Sequence, residues 1–242
     1  MPVMKILQLN IWGGKLGKQI KELITDEQPD VLCFQEVVKL PAKDGLFFTA
    51  LDEYEALGYH SFFSPVFGFS LMKQKAEFGN AILSKEPFTK TETIFTRKQY
   101  VSDLDMLDKD YNIRNLQHAV IETGDTVLHL LNHHGHHIDQ HKDGDGETMR
   151  QCRMIVDYIE TLTGSVVLCG DFNLSPQSAS LAQINEKLNN LCVTSAIETT
   201  RTQLTHKTEV CDYIFTSPEI AVSRFEVLET IASDHAALVV EF

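Results

Sequence analysis

Short apolar and β-branched runs recur along the whole chain, and this pattern limits the fold more than any other feature of the sequence. Runs this short are typical of buried strands. Near the start they alternate with amphipathic stretches, and such β-α-β units followed by many strands predict a mixed sheet with helices outside. The predicted strands are residues 3–9, 30–34, 59–63, 78–83, 88–95, 116–122, 127–131, 166–169, 210–215, 222–228 and 236–240.

Four stretches place apolar residues at helical spacing, as Met154, Ile155, Tyr158 and Ile159 illustrate. The predicted helices are residues 15–25, 41–57, 147–161 and 178–188. Two segments lack either periodicity and are predicted to be loops. Residues 99–110 are rich in Asp, and residues 133–146 are rich in His, Asp and Gly.

Length and composition favour one globular domain spanning residues 1–242, because 43% of the residues are hydrophobic and no linker, repeat or low-complexity tract divides the chain. The five cysteines have neither zinc-site nor Cys-x-x-Cys spacing, which favours reduced thiols in a reducing compartment. No secretory signal pattern is visible, and no run approaches the roughly 18 apolar residues that a membrane span needs. We therefore expect a cytoplasmic protein without a membrane span.

The net charge of −13 bears on the substrate. A sequence-independent nucleic-acid binder carries a basic stripe that neutralises phosphates, and none is evident here. Long polyanionic substrates are therefore disfavoured. A bound divalent cation would supply the local positive charge that the side chains lack.

Polar residues stand repeatedly where a predicted strand ends, and loops at strand ends are where ligand sites form in α/β folds. Taken singly, each is explained as well by a turn or a helix cap. Taken in order along the chain, they form a series of carboxylates, amides and imidazoles that suits a hard cation and proton transfer. The series comprises Asn10, Glu36, Asn132-His133-His134, Gly170-Asp171-Phe172-Asn173, Asp212 and Ser233-Asp234-His235.

This ordered series resembles the endonuclease/exonuclease/phosphatase superfamily, which includes deoxyribonucleases, abasic-site endonucleases, inositol polyphosphate phosphatases and neutral sphingomyelinases. The resemblance covers nearly the whole chain, and its most specific parts are residues 170–173 (GDFN) and 233–235 (SDH). It implies a four-layer α/β sandwich, in which two mixed β-sheets pack face to face and helices flank them.

The resemblance also implies roles for individual residues. Glu36 matches the family's metal ligand, Asp234 lies near the metal, and Asn10 matches the metal-proximal Asn that also contacts phosphate. Mg²⁺ is the expected ion, and Mn²⁺ is an alternative.

The implied catalytic residues lie later in the chain. Asp171 and Asn173 match the pair that positions the attacking water and the phosphate. His235 matches the His that faces the phosphate, and Asp212 matches the Asp that orients it. His134 matches a phosphate-contacting His, and it is preferred to His133 because it stands two residues after Asn132.

Two further positions complete the comparison with the family pattern. Arg114 is a weaker match to a phosphate-facing Arg. Some relatives have an Asp two residues after the first Asn, where this chain has Trp12. The missing carboxylate weakens a two-metal interpretation.

The histidine-rich stretch has two interpretations. Imidazoles bind zinc, copper or nickel well, so the stretch is a candidate transition-metal site. The favoured explanation is a polar loop at the rim of the cleft. Its residues are His129, His133, His134, His136, His137 and His141, with Asp143, Asp145 and Glu147 after them. Trp12, Phe67 and Phe69 are likewise open to two interpretations, stacking on a substrate or ordinary apolar packing.

The leading functional interpretation is a metal-dependent hydrolase that cleaves phosphoester bonds, of the phosphodiesterase or nuclease type, by in-line attack of activated water. Its expected partner is a phosphoester substrate, with nucleic acids and nucleotides among the candidates; no protein partner is evident. A phosphomonoesterase, a sphingomyelinase-like lipid phosphodiesterase and a non-catalytic binding module of the same fold remain alternatives. The acidic charge favours a small or single-stranded substrate.

Overall fold

Two mixed β-sheets of six strands each form the centre of the molecule, and helices flank them. This arrangement is seen in a computed structural model, which describes residues 3–40, 50–71, 74–105, 111–123 and 126–242. It confirms the expected α/β sandwich. Within the described residues, every helix is too short or too polar to cross a lipid bilayer.

The strands are β1 Lys5–Asn10, β2 Val31–Lys39, β3 His60–Leu71, β4 Gln74–Ser84, β5 Lys90–Arg97, β6 Arg114–Thr123, β7 Thr126–His134, β8 Ser165–Asp171, β9 Asn189–Asn190, β10 Asp212–Thr216, β11 Arg224–Val227 and β12 Leu238–Glu241. The helices are α1 Gly17–Glu27, α2 Ala50–Glu55, α3 Gly146–Ile159, α4 Ala179–Asn185 and α5 Leu191–Thr194, with a 3₁₀ turn at Trp12–Gly14.

Each sheet has a parallel pair of strands near its middle. The first sheet has the order β11-β12-β1-β2-β4-β3, and the second has the order β5-β6-β7-β8-β10-β9. Strands β1 and β2 run parallel with α1 between them in sequence, and β7 and β8 run parallel with α3 between them. The carboxyl ends of these pairs are where the chain leaves each sheet, and loops from both sheets converge there.

Alternating residues of each central strand face different layers, as strand geometry requires. In β1, Ile6 joins the core between the sheets, whereas Leu7 and Leu9 pack beneath α1 with Ile20 and Ile24. The sequence predicted β1, β8 and α1 to within two residues, and the apolar centres of β2 and β7 were also located, because burial on both faces makes the central strands strongly apolar. Strands β2 and β7 extend five and three residues beyond their predicted ends, where polar residues follow the apolar runs.

The layer between the sheets becomes polar toward the carboxyl ends of the parallel pairs. Gln8 donates to Gln35 Oε1 over 2.8 Å, Gln35 donates to Asn132 Oδ1 over 2.7 Å, and Asn132 donates to Gln117 Oε1 over 2.9 Å. All four amides are fully buried. Hydrogen bonds of this kind fix the register of one sheet on the other, although Gln8 Oε1 at one end has no hydrogen-bond partner among the described residues.

Other elements differ from the sequence prediction. Strand β3 extends to Leu71, well beyond the predicted residues 59–63. The prediction was too short because a bulge between Pro65 and Phe67 interrupts the alternation of the strand. Of the predicted helix 41–57, α2 Ala50–Glu55 is present, and residues 41–49 lie outside the described residues. In the predicted loop 99–110, residues 99–105 are irregular and 106–110 lie outside the described residues.

Candidate active site

A cleft of about 520 Å³ opens where the two parallel strand pairs end. Seven of the residues singled out from the sequence line it: Glu36, Arg114, His134, Asp171, Asn173, Asp234 and His235. Asn10 and Asp212 are buried directly behind these residues. The structure therefore brings together all nine candidate residues, although they are spread from the first strand to the last.

Asn10 joins the two sheets at the floor of the cleft. Its Nδ2 donates to Glu36 Oε1 and to Asp171 Oδ2, each over 3.1 Å. Its Oδ1 accepts from the backbone N–H of Trp12 over 3.1 Å. One buried amide thus fixes a carboxylate from each sheet relative to the other.

Three cleft residues have left-handed backbone conformations, which cost about 1–2 kcal/mol each in residues other than glycine. They are Trp12 (φ 51°), Glu36 (φ 57°) and Asn173 (φ 56°). Glu36 lies at a register shift of β2 against β4, between Phe34 and Val37. Backbone strain concentrates at functional sites, where it aims side chains that regular strands would direct elsewhere.

The carboxylate of Glu36 is held among like charges. Burial raises its pKa, and Asp171 and Asp234 raise it further, while His235 and the hydrogen bond from Asn10 oppose this. Its side chain still keeps 27% of its surface exposed, at the edge of the cleft. Negative charge therefore accumulates where a cation has access from the cleft.

Asp171 is the point where the polar groups converge. Its Oδ2 lies 3.7 Å from His235 Nε2 and 3.9 Å from His134 Nε2, and its Oδ1 accepts from the backbone N–H of Asn173 over 2.9 Å. Burial opposes ionisation, but His235 and nearby Arg201 and Lys142 outweigh it and hold the pKa of Asp171 below its ordinary value. Asp171 is therefore ionised at neutral pH.

His235 forms a dyad with Asp212. Its Nδ1 donates to the Asp212 carboxylate, with Oδ1 at 3.0 Å and Oδ2 at 2.9 Å. Burial lowers the pKa of His235, but Asp212 and Asp171 overcome this effect and raise it above its ordinary value. The ring is thereby fixed, and Nε2 faces the cleft.

His134 differs from its neighbour His133 because successive side chains of β7 alternate between faces. His134 lines the cleft, with Nε2 4.0 Å from Glu36 Oε1. Burial holds its pKa well below the ordinary value, so the ring is neutral. His133 lies on the other face, where Nδ1 contacts the Asn115 carbonyl at 2.9 Å and the ring packs on Phe172.

The family model described as endonuclease/exonuclease/phosphatase matches residues 7–235, which is nearly the whole chain. The chain belongs to this family. Members are typically phosphoester hydrolases. No curated protein sequence matches the chain.

Solved structures agree on the fold. The human nocturnin catalytic domain, solved with bound sulfate, is 20% identical, with a TM-score of 0.73 over 99% of this chain and 94% of that one. A D. rerio TDP2 complex with a single-strand DNA product is 17% identical, with a TM-score of 0.69 over 100% and 99%. The mannosyl-6-phosphatase of Bacteroides thetaiotaomicron VPI-5482 is 16% identical, with a TM-score of 0.70 over 98% of each chain.

The chain thus has a hydrolase fold shared with nucleases and phosphatases, together with a buried cluster of acidic and histidine ligands. Asp171, Cys211, Asp212 and His235 are grouped among the described residues, with potential ligand atoms within 4.8 Å of one another. Such a cluster is able to hold a divalent cation.

Arg114 lines the same cleft, but its donors also serve the backbone. Its Nε donates to the Gly135 carbonyl over 2.6 Å, and its NH2 donates to Asn112 Oδ1 over 2.8 Å. These bonds tie the end of β7 to the start of β6. Its predicted contact with phosphate stays a prediction.

Two cationic side chains and one hydroxyl group of this site were not identified from the sequence. Lys142 donates to Asn173 Oδ1 over 2.9 Å, Arg201 NH1 donates to His235 Nε2, and Thr200 Oγ1 donates to Asp212 Oδ2 over 2.8 Å. All three residues are buried. They lie in irregular segments, so the search for polar residues at strand ends had no signal for them.

The histidine-rich stretch does not converge on one point. His129 packs beneath α3 and contacts His118 at 2.9 Å, whereas His136 lies 3.8 Å from Asp145 at the start of α3. His137 lines the cleft, and His141 is exposed. Among the described residues, these side chains form no shared metal cluster of their own, which favours the interpretation as a rim loop.

Proposed function

We propose that the protein is a metal-dependent phosphoester hydrolase of the phosphodiesterase or nuclease type. The observation that carries this proposal is the convergence on Asp171 Oδ2, which Asn10 contacts at 3.1 Å, His235 at 3.7 Å and His134 at 3.9 Å. An ionised carboxylate surrounded by imidazoles and an amide at a cleft is suited to activating water beside an anionic substrate.

Glu36 and Asp234, with Asn10, are the residues that would hold a Mg²⁺ or Mn²⁺ ion. The fit is supported by the surroundings of Glu36: burial raises the pKa of its carboxyl, the like charges of Asp171 and Asp234 raise it further, and a bound cation would relieve that repulsion. Asp212 suits an ion less well, since His235, Thr200 and Gln8 already donate to its two oxygens. When bound, the ion would supply charge stabilisation to the phosphoryl and leaving-group oxygens.

Asp171 orients the attacking water. Its Oδ1 accepts from the Asn173 backbone N–H and its Oδ2 from Asn10 Nδ2, and Oδ2, which faces the two imidazoles, keeps a second lone pair that can accept a hydrogen bond from water. Asp171 remains ionised because His235 and the cations around it stabilise the carboxylate. Water aligned in this way attacks in line with the leaving group.

The remaining polar residues bind and stabilise the phosphate. Lys142 holds the Asn173 side-chain carbonyl, which leaves the Asn173 NH₂ to donate to a phosphate oxygen. His235, fixed by Asp212, presents Nε2 to the phosphate and stabilises charge in the transition state. His134, being neutral, can donate one ring N–H to the same phosphate.

The size and lining of the cleft favour a small substrate. A volume of about 520 Å³ lies in the range of small-molecule sites. Five aromatic residues are among those that line it: Trp12, Phe67, Phe69, Phe78 and Tyr111. An aromatic lining suits an esterified phosphate with an apolar or planar substituent better than a free phosphate.

The test is hydrolysis of an aryl phosphodiester and the matching aryl phosphomonoester, each with Mg²⁺, with Mn²⁺ and with EDTA. We expect metal-dependent release of nitrophenol, faster from the diester, and none with EDTA. A His235→Ala variant purified identically controls for contaminating phosphatases. A preference for the monoester would favour a phosphomonoesterase, and binding without turnover would favour a binding module.

A panel of nucleotides, short DNA and RNA, sugar phosphates and phospholipids then separates the substrate classes. We expect the small or single-stranded members to be cleaved fastest, because the net charge of −13 opposes long polyanions. Cleavage of long duplex DNA at the highest rate would contradict this expectation.

A further inference from the structure

Arg201 is a buried cation at the cleft to which the proposed mechanism gives no contact with the substrate. It exposes only 9% of its surface, and it lines the cleft beside Asp171, Asp234 and His235. Burying a guanidinium is costly unless an anion or hydrogen-bond acceptors compensate. The local contacts of Arg201 therefore indicate what it binds.

The segment that carries Arg201 is firmly positioned. Residues 199–202 run antiparallel to residues 233–236, with Ala236 N–H donating to the Thr200 carbonyl over 2.9 Å and Thr202 N–H donating to the Asp234 carbonyl over 3.1 Å. Thr200 Oγ1 donates to Asp212 Oδ2 and accepts from Cys211 N–H over 3.1 Å. Consecutive side chains thus reach the two members of the dyad, Thr200 to Asp212 and Arg201 to His235.

The guanidinium of Arg201 is incompletely satisfied. Among the described residues, its side-chain hydrogen bond is from NH1 to His235 Nε2, and its Nε is buried without a hydrogen-bond partner. A buried unpaired donor costs about 1–3 kcal/mol. An unpaired charged donor beside the proposed reaction centre points to an anionic ligand that supplies the missing acceptor.

The contact with His235 identifies where that ligand would lie. Because NH1 donates to Nε2, the imidazole nitrogen that faces the cleft is an acceptor here, and Nδ1 carries the proton toward Asp212. A phosphate oxygen placed between the two side chains would accept from the guanidinium and from a protonated Nε2 together. Their mutual contact would then be replaced by two charge-assisted hydrogen bonds.

We propose that Arg201 is a phosphate-binding residue, whose guanidinium holds a non-bridging oxygen of the scissile phosphate alongside His235. This proposal rests on the proposed hydrolase function and adds a substrate contact to it. A guanidinium suits the role because its planar donors bind phosphate in a fixed geometry. Arg114 differs, since its Nε already donates to the carbonyl of Gly135.

The test measures binding of inorganic phosphate to the Mg²⁺-loaded protein by titration calorimetry, independently of turnover. Removal of one charge-assisted contact is expected to weaken phosphate binding about 10- to 100-fold in Arg201→Ala, with Mg²⁺ affinity changed less than about threefold. Arg201→Lys should retain part of the affinity. Guanidinium ion added in millimolar amounts should partly restore aryl phosphodiester turnover to Arg201→Ala but leave Arg201→Lys unchanged.

Arg153→Ala is the matched control, because it removes the same charge from an exposed side chain on α3 that pairs with Asp157. Its phosphate affinity should equal that of the wild type. If Arg201→Ala does not fold, as judged by near-UV circular dichroism, Arg201→Lys decides, with at least a threefold loss of affinity expected.

Wild-type phosphate affinity in a folded Arg201 variant would overturn the proposal, and so would failure of the wild type to bind phosphate. Loss of turnover without loss of phosphate binding would mean that Arg201 only orients His235, which also contradicts it. The two proposals fail separately. Phosphate binding that depends on Arg201 without any hydrolysis would refute the hydrolase function alone.

Discussion

Two pairs of buried histidines in the same molecule have different surroundings. His118 and His129 lie beneath α3, where every ring nitrogen has a partner: His118 contacts Tyr158 OH at 2.8 Å and His129 at 2.9 Å, and His129 contacts the Thr163 carbonyl at 3.1 Å. In the cleft, the Nε2 atoms of His134 and His235 face Asp171 at 3.9 and 3.7 Å, too far for direct hydrogen bonds, and the hydrogen bond that His235 Nε2 accepts comes from the charged side chain of Arg201.

The difference separates a structural cluster from a functional one. Beneath α3 every ring nitrogen has a hydrogen-bond partner within the protein, so no ligand is needed. Burial lowers the pKa of His118 to about 4. In the cleft, charges of both signs face one another with open space between them. Burial alone therefore does not mark a catalytic histidine; unsatisfied charged neighbours at a cleft do.

The largest expected effect comes from breaking the dyad in the cleft. His235→Ala and Asp212→Asn should each lower turnover of an aryl phosphodiester about 10²- to 10⁴-fold, the range for a proton-transfer group. The double variant should lose far less than the product of the two losses, because the residues act as a unit. Steady-state kinetics at saturating Mg²⁺, with folding checked by circular dichroism, measure this. Strictly multiplicative losses would mean that the two residues act independently.

Metal affinity should respond next most strongly. Glu36→Gln keeps the shape of the side chain and removes its charge, so Mg²⁺ affinity should fall at least about tenfold, since a hard cation prefers carboxylate oxygen. Titration calorimetry measures the affinity directly. Glu160→Gln, an exposed carboxylate beyond α3, is the control and should bind as the wild type does. Equal affinities in the two variants would remove Glu36 from the metal site.

The histidine pair beneath α3 should affect the free energy of unfolding and leave turnover unchanged. The folded-state pKa of His118 is about 4 and its ordinary value is 6.5, so the unfolded chain binds more protons between these pH values. The free energy of unfolding should therefore fall as pH drops from 6.5 to 4, with His118 contributing about 2–4 kcal/mol.

Urea denaturation of wild type and His118→Gln at pH 7 and pH 4 isolates this contribution. The wild type should be the more stable protein at pH 7, and its advantage should shrink toward pH 4, because the unfolded wild type then binds a proton at His118 that the buried, neutral ring of the folded state does not bind. An advantage that is constant or grows toward pH 4 would show that the pKa of His118 is not lowered.

The smallest effect on chemistry should come from the rim. Replacing His136, His137 and His141 together by Ala should change the ranking of substrates but keep aryl phosphodiester turnover within about threefold, because rim loops set specificity. Competition among substrates, followed by product analysis, measures the ranking. Loss of the minimal activity, restored only by zinc, would support the transition-metal interpretation instead.

Most of the fold was predictable from sequence because its central strands are buried on both faces. The site was located for a related reason: Asn10, His134 and Asp171 terminate such strands, and their loops converge. Alternation along β7 also separates His134 from His133. Strand β3 was predicted too short, because the bulge at Pro65 disrupts its pattern.

Contacts between distant irregular segments could not be predicted from the sequence. Lys142 and Arg201 reach Asn173 and His235 from loops whose paths depend on the whole fold. The inter-sheet amides Gln8 and Gln35 were also missed, since a polar residue inside a strand pattern looks like an ordinary solvent-facing position. These residues are buried only because two sheets pack face to face.

The central claim is that chemistry depends on the carboxylate at which the cleft groups converge and not on buried histidines in general. Its most direct test compares Mg²⁺-dependent turnover of an aryl phosphodiester by Asp171→Asn and His118→Gln at pH 7 and 25 °C. We expect at least a 100-fold loss of kcat in Asp171→Asn, on the order expected for a general base, and near wild-type kcat in folded His118→Gln. Wild-type kcat in Asp171→Asn, or equal losses in the two folded variants, would contradict it.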